Sequence, residues 1–159
     1  MDQLPPVPPI ADDLSAPGLF LSRELAALEF NFRVLAMARD PEVPLLERLR
    51  YLSIVANNLD EFFEVRVAML KHHHGYGSAS PGPDGLSSGD LLARIRSRAL
   101  DLVTEQYAIW REQISPQLSA ENIHILTRKQ WSARQRRWLQ GYFEHEVMPV
   151  LSPLGLDPA

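Results

Sequence analysis

The chain has 159 residues, enough for one domain with appendages and a sizeable core. Its 16 Lys and Arg against 20 Asp and Glu leave a formal charge of −4, which argues against a general nucleic-acid coat, because phosphate binding needs a clustered positive field. It has no cysteine, which excludes disulfides, thiol catalysis and Cys-ligated zinc, and no apolar run reaches the roughly 20 residues that span a bilayer; a soluble cytoplasmic protein without a transmembrane segment is expected.

Residues 1–18 carry Pro5, Pro6, Pro8, Pro9 and Pro17 with Asp12 and Asp13, and have little to bury. They are expected to form a mobile, proline-rich leader, the alternative being a docking motif for a proline-binding module. Ser22 to about Ala38 predicts the first helix. Ser22 can cap it, Glu24 lies in its first turn, and Leu21, Leu25, Leu28, Phe32 and Leu35 line one side. Asp40 and Pro41 end it, and the short loop to Pro44 makes the next helix an antiparallel neighbour.

Leu45 to Leu70 is the most apolar long stretch. Leu45, Leu46, Leu49, Leu52, Val55, Leu59, Phe62, Phe63 and Val67 follow helical spacing. Within it, Asn57 and Asn58 are poor helix-interior residues, whose short amides compete for backbone hydrogen bonds. Asn58 and Glu61 have capping-box spacing. Two helices are therefore expected, Pro44 to about Ala56 and Leu59 to about Lys71, with a break that leaves N–H groups free at Asn58 for an anion or nucleotide. One continuous helix with two exposed asparagines is the alternative.

His72, His73 and His74 precede Gly75. Adjacent imidazoles on a helix point about 100° apart and cannot all face one metal, so helix termination is expected there, not a metal site. The Gly- and Pro-rich stretch from Gly75 to Gly89 reads as a flexible loop. Ser87 caps a long amphipathic helix through Leu92, Ile95, Ala99, Leu102, Val103, Gln106, Trp110 and Ile114, expected to stop at Pro116. Asn122 to Leu126 reads as a short extended piece. Thr127 and Ser132 are both candidate caps, and a last helix is predicted from about Ala133 to Val147, burying Trp138, Leu139, Tyr142 and Val147.

Five of the ten residues from Arg128 to Arg137 are basic: Arg128, Lys129, Arg134, Arg136 and Arg137. Cations near a helix N-terminus oppose its dipole, so either an acidic partner or phosphate-rich ligand offsets that cost, or the run is solvated surface charge. No phosphate loop, nucleophile elbow, HExxH pair or dinucleotide fingerprint occurs, and the carboxylates show no acid and base spacing, so no catalytic residue is assigned. The fold expected is all-α: an antiparallel bundle of about four to five helices behind a mobile Pro-rich N-terminus.

Three stretches, RELAALEFNFRVL at Arg23 to Leu35, VPLLERLRYLSIVANNLDEFFEVRVAML at Val43 to Leu70, and PVLSPLGLDPA at Pro149 to Ala159, together resemble the N-terminal domain of bacterial polyphosphate kinase, the long-chain, histidine-phosphorylating family. The resemblance covers essentially everything after the leader. It implies a domain over residues 19–148, a lead-in to a head domain over 149–159, and a parent enzyme that moves the terminal phosphate of ATP onto polyphosphate through a phosphohistidine with Mg2+. It implies self-association of the full-length enzyme, and catalytic histidines and phosphate-binding arginines in domains that are not here, so that the chain alone is inert. It also implies that Asn58, the second asparagine of NNLDEF, contributes to the ATP site, the N-terminal domain covering the base end. Ala26 and Ala27 depart from the family's usual Ser and Trp, removing an indole that Phe32 or Tyr51 would have to replace in packing. A non-catalytic helical module, docking an acidic partner or polyphosphate through Arg128 to Arg137, is the alternative function.

Overall fold

In the computed structural model, which describes residues 15–75, 81–153 and 155, every regular element among those residues is helical. Most of the leader expected over residues 1–18, part of the Gly75 to Gly89 loop and part of the lead-in expected over residues 149–159 lie outside them. The helices are α1 (Arg23–Arg39), α2 (Leu45–Glu61), α3 (Ala68–Gly75), α4 (Ser88–Ile109), α5 (Ser115–Ala120) and α6 (Ala133–Tyr142). The chain divides into two compact units, Met1–Glu121 and Asn122–Ala159.

The caps follow the sequence. Ser22 Oγ accepts from the Leu25 N–H at 3.3 Å and Ser87 Oγ from the Asp90 N–H at 3.1 Å, each satisfying a donor that the first helical turn leaves over. Asp40 closes α1, its Oδ1 accepting from the Glu42 N–H at 2.9 Å.

Helix direction in the first unit follows from which residues meet. Asn58 bonds to Asn31 and Arg48 to Ala38, so α2 runs antiparallel to α1. Gln106 bonds to Leu52 and Gln113 and Gln117 to Arg48, so α4 and α5 run antiparallel to α2. Arg98 pairs with Glu29, and Arg39 with Glu105, which sets α4 parallel to α1. Between the three runs lie Leu28 and Leu35 of α1, Leu52 and Val55 of α2, and Ile95, Leu102 and Ile109 of α4, all buried. Each such side chain contributes about 1.5–3 kcal/mol by leaving water. Leu21 and Leu46, expected on the buried stripes, are exposed instead, because they stand at helix ends where the bundle gives no facing helix.

The break expected at Asn57 and Asn58 does not occur. Helix continues from Leu45 through Gly75, and Asn58 sits inside it, its carbonyl accepting from the Phe62 N–H. The irregularity comes four residues later, as a π-helical segment over Phe62–Val67. The Ala68 N–H reaches the Phe63 carbonyl five residues back, and the buried residues Phe62 and Val67 are likewise five apart. The wider turn keeps the core stripe facing inward across a spacing an α-helix would rotate away. It also turns Phe63 out to solvent, contrary to the expectation that it lies on the stripe.

Pro116 does not stop the long helix either. A second π-helical segment, Trp110–Ile114, precedes α5, and Pro116 falls in the first turn of α5, where a missing N–H costs little. The run ends at Ala120. Ile109, Ile114 and Leu118, spaced five and then four apart, are all buried.

Arg48 is the one charged side chain buried in this core among the described residues. Its Nε donates to the Ala38 carbonyl at 2.9 Å, Nη1 to Gln117 Oε1 at 3.0 Å and Nη2 to Gln113 Oε1 at 2.9 Å. All three acceptors are neutral. A guanidinium at the last turn of α1 meets carbonyls that have no helical donor and the negative end of that helix's dipole.

On the outside of α1 and α4, Arg98 donates from Nη2 to Glu29 Oε2 at 2.9 Å while its guanidinium lies 3.6 Å above the Phe32 ring. The hydrogen bond from Arg98 holds the Glu29 carboxyl below the ordinary carboxylate range, and the same bond raises the Arg98 pKa.

The second unit begins with a stretch without regular secondary structure after Asn122, which takes a positive φ of 61°. Both expected caps form there, as capping boxes: Thr127 with Gln130, and Ser132 with Gln135, whose Oε1 accepts from the Ser132 N–H at 2.8 Å. Helix α6 passes into a π-helical segment, Phe143–Val147, and a 3-10 turn, Met148–Val150. The buried side expected for α6 is not formed. Trp138 and Tyr142 stack on each other, centroids 5.4 Å apart, on an exposed face.

Candidate functional site

A cleft of about 500 Å3 lies between α1 and the run from α2 to α3. The π-helical segment forms part of its wall, through Phe62, Val65 and Arg66, and Asn58 stands one turn before. Arg23 and Phe30 face it from α1, and His73 from α3. A second cavity, of about 490 Å3, shares Arg23, Glu24, Leu70 and His73 with the first and extends beside the loop at Gly82 to Leu86. Two guanidiniums (Arg23, Arg66), the His73 imidazole, the half-exposed ring of Phe30 and the amides of Asn31 and Asn58 thus line one opening, together with the carboxylates of Glu24 and Glu61. Such a set suits a ligand with a flat apolar portion and an anionic portion.

Asn58 is in the cleft, but for a different reason from the one its spacing suggested. It caps nothing. Its Nδ2 donates to Asn31 Oδ1 at 2.8 Å, and Asn31 Nδ2 donates to the Ala27 carbonyl at 3.3 Å. Asn31, only 3% exposed, sits on the buried stripe of α1 between Leu28 and Leu35. Its amide would be costly there without partners. Local spacing missed Asn31; a polar residue three after Leu28 and four before Leu35, inside an apolar stripe, was the available signal.

Ala27 also lines the cleft, next to Asn31. Neither Phe32 nor Tyr51 fills the space beside it, since neither lines the cleft; both pack on the core elsewhere. The place where an indole was expected to be compensated is open.

Of the histidine run, only His73 reaches the cleft, and His72 packs edge-on to His73 with centroids 6.3 Å apart. Among the described residues no three His, Asp or Glu side chains gather as they would around a metal ion. In the second unit, Arg128, Lys129, Arg134, Arg136 and Arg137 are all exposed, and none is in an ion pair among the described residues. Among those residues, too, no helix is long and apolar enough to cross a membrane.

The polyphosphate kinase N-terminal domain family model matches residues 20–126. Among similar proteins, a polyphosphate kinase of Xylella fastidiosa is 50% identical over 164 residues, which takes in 100% of this chain and 23% of that protein. One from Neisseria gonorrhoeae is 44% identical over 139 residues, covering 87% of this chain and 20% of its own length. One from Pseudomonas syringae pv. tomato is 42% identical over 149 residues, covering 94% and 20%. The chain therefore spans less than a quarter of the length of these relatives. No solved structure matches it.

Proposed function

The chain belongs to the polyphosphate kinase family, whose N-terminal domain it carries, and on that premise we propose that the cleft beside Asn58 is the wall covering the base end of ATP in the full-length enzyme. The observation that carries this is the placement of Asn58 in an opening that also holds Phe30, Arg23, Arg66 and His73. An amide and an aromatic ring suit a base, and the guanidiniums of Arg23 and Arg66 suit the phosphates that follow it, while Glu24 and Glu61 in the same lining offset part of that positive charge. The parent reaction is transfer of the ATP terminal phosphate to polyphosphate, giving ADP and a chain one unit longer, through a phosphohistidine and with Mg2+. The residues that hold the metal and form the phosphohistidine belong to other domains of that cytoplasmic, self-associating enzyme. One wall offers few contacts, and phosphoryl transfer depends on positioned cations and an activated acceptor, so the chain alone is inert.

The test is Asn58→Ala in the full-length enzyme. Removing one hydrogen-bonding group should raise the KM for ATP roughly fivefold to tenfold. An unchanged KM and kcat would sink the role. Calorimetric titration of the isolated chain with ATP should show no micromolar affinity.

One observation favours an additional role for the second unit. Its five cations from Arg128 to Arg137 are exposed and without carboxylate partners among the described residues. They suit docking of polyphosphate or an acidic surface. Retention on immobilised polyphosphate that is lost when the five are neutralised supports this, and no retention at low salt refutes it.

A further inference from the structure

The amide of Asn58 is not free to choose which end it shows a ligand. The constraint starts at the Ala27 carbonyl, which can only accept. Asn31 therefore turns its NH2 toward Ala27, at 3.3 Å, and its Oδ1 toward Asn58. Asn58 in turn must present its NH2 to that oxygen, at 2.8 Å. What remains is Asn58 Oδ1, which has no hydrogen-bond donor among the described residues, on a half-buried residue lining the cleft. A backbone carbonyl on α1 thus sets, through two amides in series, the polarity of an atom on α2.

We infer that Asn31 is a positioning residue: it fixes Asn58 with Oδ1 outward, so that the cleft accepts a base bearing an exocyclic amino group and disfavours one bearing a carbonyl at the same place. The inference rests on the assignment of the cleft to the ATP base. An amide without this anchor could rotate by half a turn and offer NH2 to a carbonyl instead, at little cost. With the anchor, that rotation sets Oδ1 of Asn58 against Oδ1 of Asn31 and breaks the bond between them.

The probe pair is ATP and inosine triphosphate, which carries oxygen in place of the 6-amino group. The measurement is the ratio of their kcat/KM values in the full-length enzyme. Both values come from one preparation, so the folded fraction cancels. Asn31→Leu and Asn31→Ala remove the anchor and should reduce the preference for ATP roughly fivefold to tenfold, the worth of one neutral hydrogen bond. Asn31→Asp keeps an acceptor facing Asn58 and should retain the preference to within about twofold, even if it lowers stability. A purely structural role for Asn31 would depress both substrates alike and leave the ratio unmoved. If Asn58→Ala abolishes the preference while the Asn31→Leu and Asn31→Ala enzymes keep it, Asn58 holds its own orientation and the inference is overturned, with the site intact. If Asn58→Ala changes neither the ATP KM nor the preference, the site assignment fails and the inference fails with it.

Discussion

Arg48 offers a measurable test of how this core is joined. Its guanidinium bonds one carbonyl at the end of α1 and two glutamines at Gln113 and Gln117, so a single side chain ties together all three runs of the first unit. Truncation to Ala removes about two methylenes of buried stem, worth about 1.6 kcal/mol. It also leaves the Ala38 carbonyl without its donor and the helix end without its cation, about 1 kcal/mol more. The two glutamines are less buried and can turn to water, so they add little. Set against these losses is relief of the desolvation that the buried charge suffers, which brings the expected destabilisation to about 2 kcal/mol for Arg48→Ala. Arg48→Met keeps most of the stem and should cost about 1 kcal/mol, the share of the guanidinium alone. Urea unfolding followed by far-ultraviolet circular dichroism would show midpoint shifts of about 1.3 M and 0.7 M if the slope is about 1.5 kcal/mol/M. A methionine variant as stable as the native chain, or more so, would refute the reasoning: the charge would then be a net cost.

Leu35→Ala, at a fully buried position of α1, should destabilise by about 2–5 kcal/mol in the same urea assay; a loss below about 1 kcal/mol would mean that the core closes over the gap. Glu29 has a carboxyl pKa depressed by Arg98, so its pairing stabilises the fold above the unfolded-state pKa and is lost as pH falls through the lower folded value. Glu29→Gln should therefore flatten thermal stability against pH in the acid range below about pH 4.5 and leave the slope near neutrality unchanged. High salt should shrink the difference, because the pair is exposed. Ala27→Trp places an indole in the open cleft and should raise stability by about 1–2 kcal/mol, read as a higher urea midpoint; a lower one would mean that the cleft cannot admit the ring.

Local chemistry made much of this fold readable. The serine caps at Ser87 and Ser132 announce themselves by the residue three positions on and that at Ser22 by Glu24 in the first turn, and the leucines of α1 and α2 mark their buried face by spacing. What could not be read depends on partners far away in the chain. Asn58 looked like a helix breaker because its amide was assumed to compete for nearby backbone; with Asn31 to bond, 27 residues earlier, it has no reason to do so. Arg48 is buried because three acceptors converge on it from two other helices, which no spacing within α2 reveals. Trp138 and Tyr142 lie on an apolar stripe that the described residues do not cover, so periodicity named a face without saying what it meets.

The π-helical segment at Phe62–Val67 amounts to a phase correction in the chain. Each residue of an α-helix advances by about 100° and 1.5 Å, so deleting one residue here would leave the helix intact yet turn everything after it by that angle. Arg66, Met69, Leu70 and His73 would leave the side they now share with Asn58, and Val67 would leave the core. The chemistry of the cleft is therefore specified by residue count as well as by residue type: its two ends stay in step only while the spacing of five between Phe62 and Val67 is kept.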